Sequence, residues 1–148
     1  MGHTAFRATL TGVGVDATND EGIWSDRTGS LTLVVRKGSH APGMDATVKF
    51  DVLRSPSLDA TGRTEFRAML VGAGVDATND QGIWSEASGT LTLVARKGSL
   101  APGVGAGVNF GMAAAASPHA SRARSTADRR SAAITITNVI SNSSDTVR

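Results

Sequence analysis

Short stretches of the chain alternate apolar and polar residues, and glycine-rich breaks separate them. In Thr64-Glu65-Phe66-Arg67-Ala68-Met69-Leu70, the residues Phe66, Ala68 and Leu70 share one face and Arg67 takes the other, the two-residue period of a half-buried strand. Gly82-Ile83-Trp84-Ser85 reads as a second strand. A turn at Gly89 then leads into a third, Leu91-Thr92-Leu93-Val94-Ala95-Arg96, whose Leu91, Leu93 and Val94 put apolar groups on both faces. Gly98 and Ala101-Pro102-Gly103 break the chain again before a short fourth strand, Val108-Asn109-Phe110. This spacing of short strands and turn signals predicts an all-β fold.

The same pattern occurs twice. Shifting the chain by 60 residues superposes Phe6 on Phe66, Trp24 on Trp84, Pro42 on Pro102 and Phe50 on Phe110 without a gap, and 32 of the 47 positions compared (4–50 against 64–110) are identical. Self-similarity at a fixed period marks a repeat architecture. We therefore expect two tandem four-stranded antiparallel units, at residues 1–53 and 54–112, with Val48-Lys49-Phe50-Asp51-Val52 as the fourth strand of the first. Four strands in about 60 residues, apolar on both faces, suit a β-propeller blade stacked between neighbours. A small β-sandwich and an open β-solenoid use the same strands. Two blades cannot close a ring, and Gly2 aligns with Gly62, so copy one begins inside its own motif. Both points suggest a piece of a larger array, and two units alone are expected to associate through their uncovered ends.

Composition adds little beyond exclusions. The formal net charge is +2, but it is unevenly placed. Residues 1–110 carry ten Lys/Arg against eleven Asp/Glu, net −1, and residues 111–148 carry five Arg against two Asp, net +3. A near-neutral body lacks the clustered positive face that nucleic-acid binding requires, so no nucleic acid is expected as a partner. Without cysteine, disulfides and thiol chemistry are excluded. No apolar run is long enough to span a bilayer as a helix, and Met-Gly-His-Thr-Ala-Phe lacks a signal-peptide core.

The motif Asp59-Ala60-Thr61-Gly62-Arg63-Thr64-Glu65-Phe66, followed by Gly82-Ile83-Trp84 and Ala101-Pro102-Gly103, resembles the bacterial tandem-repeat proteins with an N-x-x-G-x-x-x-F signature. Asp59 stands where that signature has Asn, and both residues cap turns. The resemblance covers about residues 2–110. It implies an exported, surface-anchored protein and an extracellular address, and it carries over no catalytic residue.

Candidate chemistry sits in loops. Asp16, Asn19 and Asp20, repeated as Asp76, Asn79 and Asp80, crowd hard oxygens onto a turning backbone, as a calcium loop does. The spacing is not that of an EF-hand, and Glu21 becomes Gln81 in copy two. The alternative is that these residues build Asx turns into the second strand, with no cofactor. Trp24 and Trp84 could line a sugar-binding surface or pack between sheets. Gly12-Val13-Gly14 and Gly72-Ala73-Gly74 lack the third glycine of a dinucleotide fingerprint. Arg36-Lys37 and Arg96-Lys97 read as solvated strand ends. His40 is replaced by Leu100, and no histidine or cysteine motif for metal binding or nucleophilic catalysis is present.

Residues 113–148 form a basic, Ser/Ala/Arg-rich tail, expected to be largely disordered because it lacks apolar residues to offset its ordering entropy. Ala133-Ile134-Thr135-Ile136-Thr137-Asn138-Val139-Ile140 alternates like a strand, giving a candidate strand at 133–140. The function expected is a non-catalytic extracellular repeat scaffold or binding module for a glycan or protein ligand. The rival is part of a propeller-type polysaccharide hydrolase or lyase with loop carboxylates as acid and base. Converging carboxylates would favour the rival, and scattered ones the scaffold.

Overall fold

The computed structural model of the chain describes residues 2–111, so the expected tail and its candidate strand at 133–140 lie outside the described residues. Eight strands follow in chain order: β1 Ala5–Thr9, β2 Glu21–Ser25, β3 Thr32–Arg36, β4 Lys49–Leu53, β5 Ser57–Leu58, β6 Thr64–Val71, β7 Gln81–Ser85 and β8 Thr92–Arg96. Every pairing between them is antiparallel. Among the described residues there is no helix, and so none long and apolar enough to cross a membrane. All eight strands belong to one compact unit, Met1–Ala115.

The expected pair of four-stranded units is corrected in two respects: the fourth strand expected of copy two, Val108-Asn109-Phe110, is only an isolated bridge of Asn109 with Leu100, and the strands divide unequally between the sheets. The sheets hold three strands, β1-β2-β3, and five, β4-β6-β7-β8 with β5 also on β6. The fourth strand of copy one leaves its own sheet and pairs with the first strand of copy two, Phe50 opposite Leu70 and Leu53 opposite Ala68. Arg54 N–H then donates to Arg67 O at 2.9 Å, and β5 continues along the same edge of β6, with Ser57 opposite Glu65. The sequence period and the sheet boundary are therefore out of phase by one strand.

Between β3 and β4 the chain folds back on itself. Gly38 N–H donates to Phe50 O, Phe50 N–H to Ser39 O and Ala41 N–H to Val48 O, at 2.8 to 3.0 Å. The resulting plug, residues 38–50, carries Ala41, Val48 and Phe50 into the core, beside Ile23 and Val35 of sheet one and Phe66, Ala68, Leu70 and Trp84 of sheet two. Phe50 meets Trp84 edge-on at 4.8 Å and Phe66 at 5.8 Å between ring centroids, separations at which aromatic pairs gain beyond their buried area.

A β-bulge explains how one strand presents apolar groups on both faces. Ile23 faces Val35, but Trp24 faces Leu33, so Val34 is the extra residue; Ile83/Ala95 and Trp84/Leu93 repeat this with Val94 as the extra. One inserted residue flips the remainder of the strand to the other face. Leu93 thus joins Trp84 on one face, while Ala95 joins Ile83 on the other.

Candidate functional site

The calcium-loop candidates are held by donors from their own copy. Asp16 Oδ1 accepts from Thr18 N–H at 2.8 Å and Thr18 Oγ1–H at 2.6 Å. Asn19 Oδ1 accepts from Asp16 N–H at 3.1 Å, and its amide donates to Gly14 O at 3.2 Å. Arg36 then spans Asn19, Nε to the backbone oxygen at 2.7 Å and the terminal nitrogen to Oδ1 at 3.0 Å. Lys37 Nζ lies 3.2 Å from Asp20 Oδ1. Copy two repeats the arrangement: Asp76 with Thr78, Asn79 with Gly74 and Arg96, Asp80 with Lys97.

Asn19 Oδ1 and Asp20 Oδ1 therefore already face a guanidinium and an ammonium, and Asp16 Oδ1 faces Thr18. A fork-shaped Arg suits a paired backbone and side-chain oxygen. The donation from Thr18 lowers the Asp16 carboxyl below the usual carboxylate range, and Thr78 does the same for Asp76, because both donors favour the charged form. Among the described residues, no three His, Cys, Asp or Glu side chains come together as a metal-ligand group. Glu21, the residue exchanged for Gln81, lies apart from this set. Its carboxylate contacts Arg7 at 3.3 Å and accepts from Leu53 N–H at 3.2 Å, linking sheet one to β4.

Sequence reasoning missed the role of Arg36 and Arg96. They pin the turn of their own copy, and the signal was present: the Asn-to-Arg separation is 17 residues in both copies. Asp59 also caps a turn. Its Oδ1 accepts from Arg63 N–H at 3.0 Å, Thr61 N–H at 2.8 Å and Thr61 Oγ1–H at 2.7 Å, and these bonds lower its pKa, Arg63 most. Only an acceptor oxygen is used, which Asp and Asn both offer.

The two tryptophans diverge. Trp84 is fully buried, and its indole N–H donates to Pro42 O at 3.0 Å. Trp24 is half-buried, stacked on Phe6 at 6.1 Å, and its indole N–H meets no acceptor among the described residues.

An open cleft of about 700 Å³ lies where the first Asp/Asn turn, the end of β3 and β4 meet, lined by Thr18, Asn19, Arg36, Lys37, Lys49, Asp51 and neighbouring residues. Its lining holds a single carboxylate, Asp51, and its Lys37 is already paired with Asp20, so it does not offer the pair of carboxylates a glycosidase uses.

These turns, the cleft and all eight strands fall within residues 1–121, which match the family of unknown function DUF7453. The chain belongs to this family. No curated protein and no solved structure matches it. The DUF7453 match thus takes in both copies of the repeat together with the strand that passes between them.

Proposed function

We propose that the protein is a non-catalytic extracellular repeat scaffold or binding module, built by adding blade-like sheets that each borrow a strand from the preceding copy. The observation that carries this reading is the passage of β4 from copy one into the sheet of copy two, because a unit completed by its neighbour gains much of its stability from that neighbour. The loop carboxylates add support. Asp16, Asp59 and Asp76 lie in separate turns and are pushed toward the charged form, opposite to what a general acid needs. The extracellular address rests on the resemblance at residues 59–66.

Chains carrying two, three and four copies should be compared at concentrations low enough to prevent association. The melting temperature should climb with each added copy; a value independent of copy number overturns the scaffold reading. Incubation with polysaccharides should release no new reducing ends, and release would favour the hydrolase.

A further inference from the structure

The joint between the copies inside one chain has two halves, and each half recurs, unoccupied, elsewhere on the molecule. The plug half is the 38–50 segment. Pro42 O takes the Trp84 indole N–H, Phe50 completes a ring cluster with Phe66 and Trp84, and Met44 packs against the core. At Gly43 a Cβ would lie only 3.0 Å from Leu93 Cβ, so the plug sits flat on that side chain. The socket half is the face of sheet two with Phe66, Trp84 and Leu93.

Sheet one presents the same socket. Phe6 and Trp24 stack at 6.1 Å and 20°, against 6.3 Å and 18° for Phe66 and Trp84. Among the described residues nothing covers them: Phe6 is 40% and Leu33 51% exposed, and the Trp24 indole finds no acceptor there. Copy two presents the same plug. Gly98 N–H donates to Phe110 O, Phe110 N–H to Ser99 O and Ala101 N–H to Val108 O, at 2.8 to 2.9 Å, the same three bonds that fold back residues 38–50; the turn bond of Met44 N–H to Ala41 O is not repeated at Val104. Val104, which replaces Met44, is 57% exposed. Beside the socket, β1 is a sheet edge, at the position where β6 receives β4.

We infer that the socket of sheet one, at Phe6, Trp24 and Leu33, receives the plug around Pro102, Val104 and Phe110 from a second copy of this chain. Pro102 O accepts the Trp24 indole N–H, and Phe110 becomes the third ring, as Pro42 O and Phe50 do for Trp84 and Phe66. Both surfaces are preformed, so little ordering cost opposes association. The interface is heterologous: each chain uses its socket on one neighbour and its plug on another, so assembly proceeds head to tail. The inference rests on the scaffold reading but can fail without it, since covalently joined copies can stabilise one another even if separate chains never dock.

Sedimentation velocity of the full chain over a wide concentration range is the test. A ladder of species growing with concentration is expected, and a monomer at every concentration overturns the inference, as it would if the chain's own tail filled the socket. Leu33→Lys breaks the socket and Val104→Asp breaks the plug, both at exposed positions, and each variant alone should lose every species above the monomer. Mixed one to one, they should form a dimer and stop there, the intact plug of Leu33→Lys seated in the intact socket of Val104→Asp. That rescue also shows that both variants are folded. No dimer on mixing, or Val104→Asp still dimerising alone through socket-to-socket contact, overturns the head-to-tail geometry.

Discussion

The indole N–H of Trp84 donates to the carbonyl oxygen of Pro42 at 3.0 Å, a bond between residues 42 positions apart that ties the plug of copy one to the sheet of copy two. The equivalent Trp24 has identical local sequence, Gly-Ile-Trp-Ser, and no such bond among the described residues. Burial follows the bond: Trp84 is enclosed and Trp24 is not.

This asymmetry predicts unequal truncations. Trp84→Ala leaves a cavity at the centre of the ring cluster and should cost about 3–5 kcal/mol. Trp24→Ala loses mainly the stack on Phe6 and should cost about 1 kcal/mol. Urea midpoints, measured at concentrations where the chain is monomeric, check the difference; equal costs would contradict it.

A second prediction concerns Gly38, with φ of 82°. A Cβ there would lie 2.6 Å from the backbone oxygen of Thr18, which cannot swing aside as a side chain can. Gly38→Ala should therefore cost about 2–3 kcal/mol. Gly14 also has positive φ, at 76°, but its Cβ would meet open space, so Gly14→Ala should cost only the left-handed backbone term of about 1 kcal/mol. Thermal unfolding of the two variants side by side measures the clash.

Thr64 offers a stabilising change. Its side chain is fully buried, and its Oγ1 has no hydrogen-bond partner. Valine has nearly the same shape without the hydroxyl, so Thr64→Val removes an uncompensated desolvation and should raise stability by about 1 kcal/mol. The same change at exposed Thr4 should do nothing to the urea midpoint.

The turn carboxylates set an acid limb. Asp16, Asp59 and Asp76 have lowered pKa values in the folded chain, and a depressed folded value stabilises above the unfolded carboxylate pKa of about 3.9. Their contribution should be level at neutral pH and fall away as pH drops below about 4 through the folded values. Carboxyl titration by NMR should place these three midpoints below the ordinary aspartate value of about 3.9. Asp76→Asn should flatten the acid limb of stability against pH.

Calcium should leave the melting temperature unchanged, because Arg36 and Arg96 already occupy the oxygens of Asn19 and Asn79. A rise of several degrees, abolished by Asp16→Ala with Asp76→Ala, would instead show preferential binding of the metal by the native state.

Much of the architecture was legible in the chain because it is local. Phe66, Ala68 and Leu70 are buried on the face that the two-residue period assigns them, and the Asp16 and Asp76 turns close through residues two or three positions away. What the period could not show is which sheet a strand joins. Residues 49–53 carry the same pattern whether they pair within copy one or with β6, and the choice of β6 depends on a joint that no local pattern encodes. The same joint explains why the near-identical first strands differ in length. β6 runs for eight residues because β5 holds Thr64 and β4 holds Leu70 and Val71 beyond the five positions paired by β7; β1, paired among the named strands only with β2, runs for five. Only tertiary pairing decided this, because a backbone stays extended as far as its N–H and C=O groups find partners, and sequence alone does not say where those partners come from.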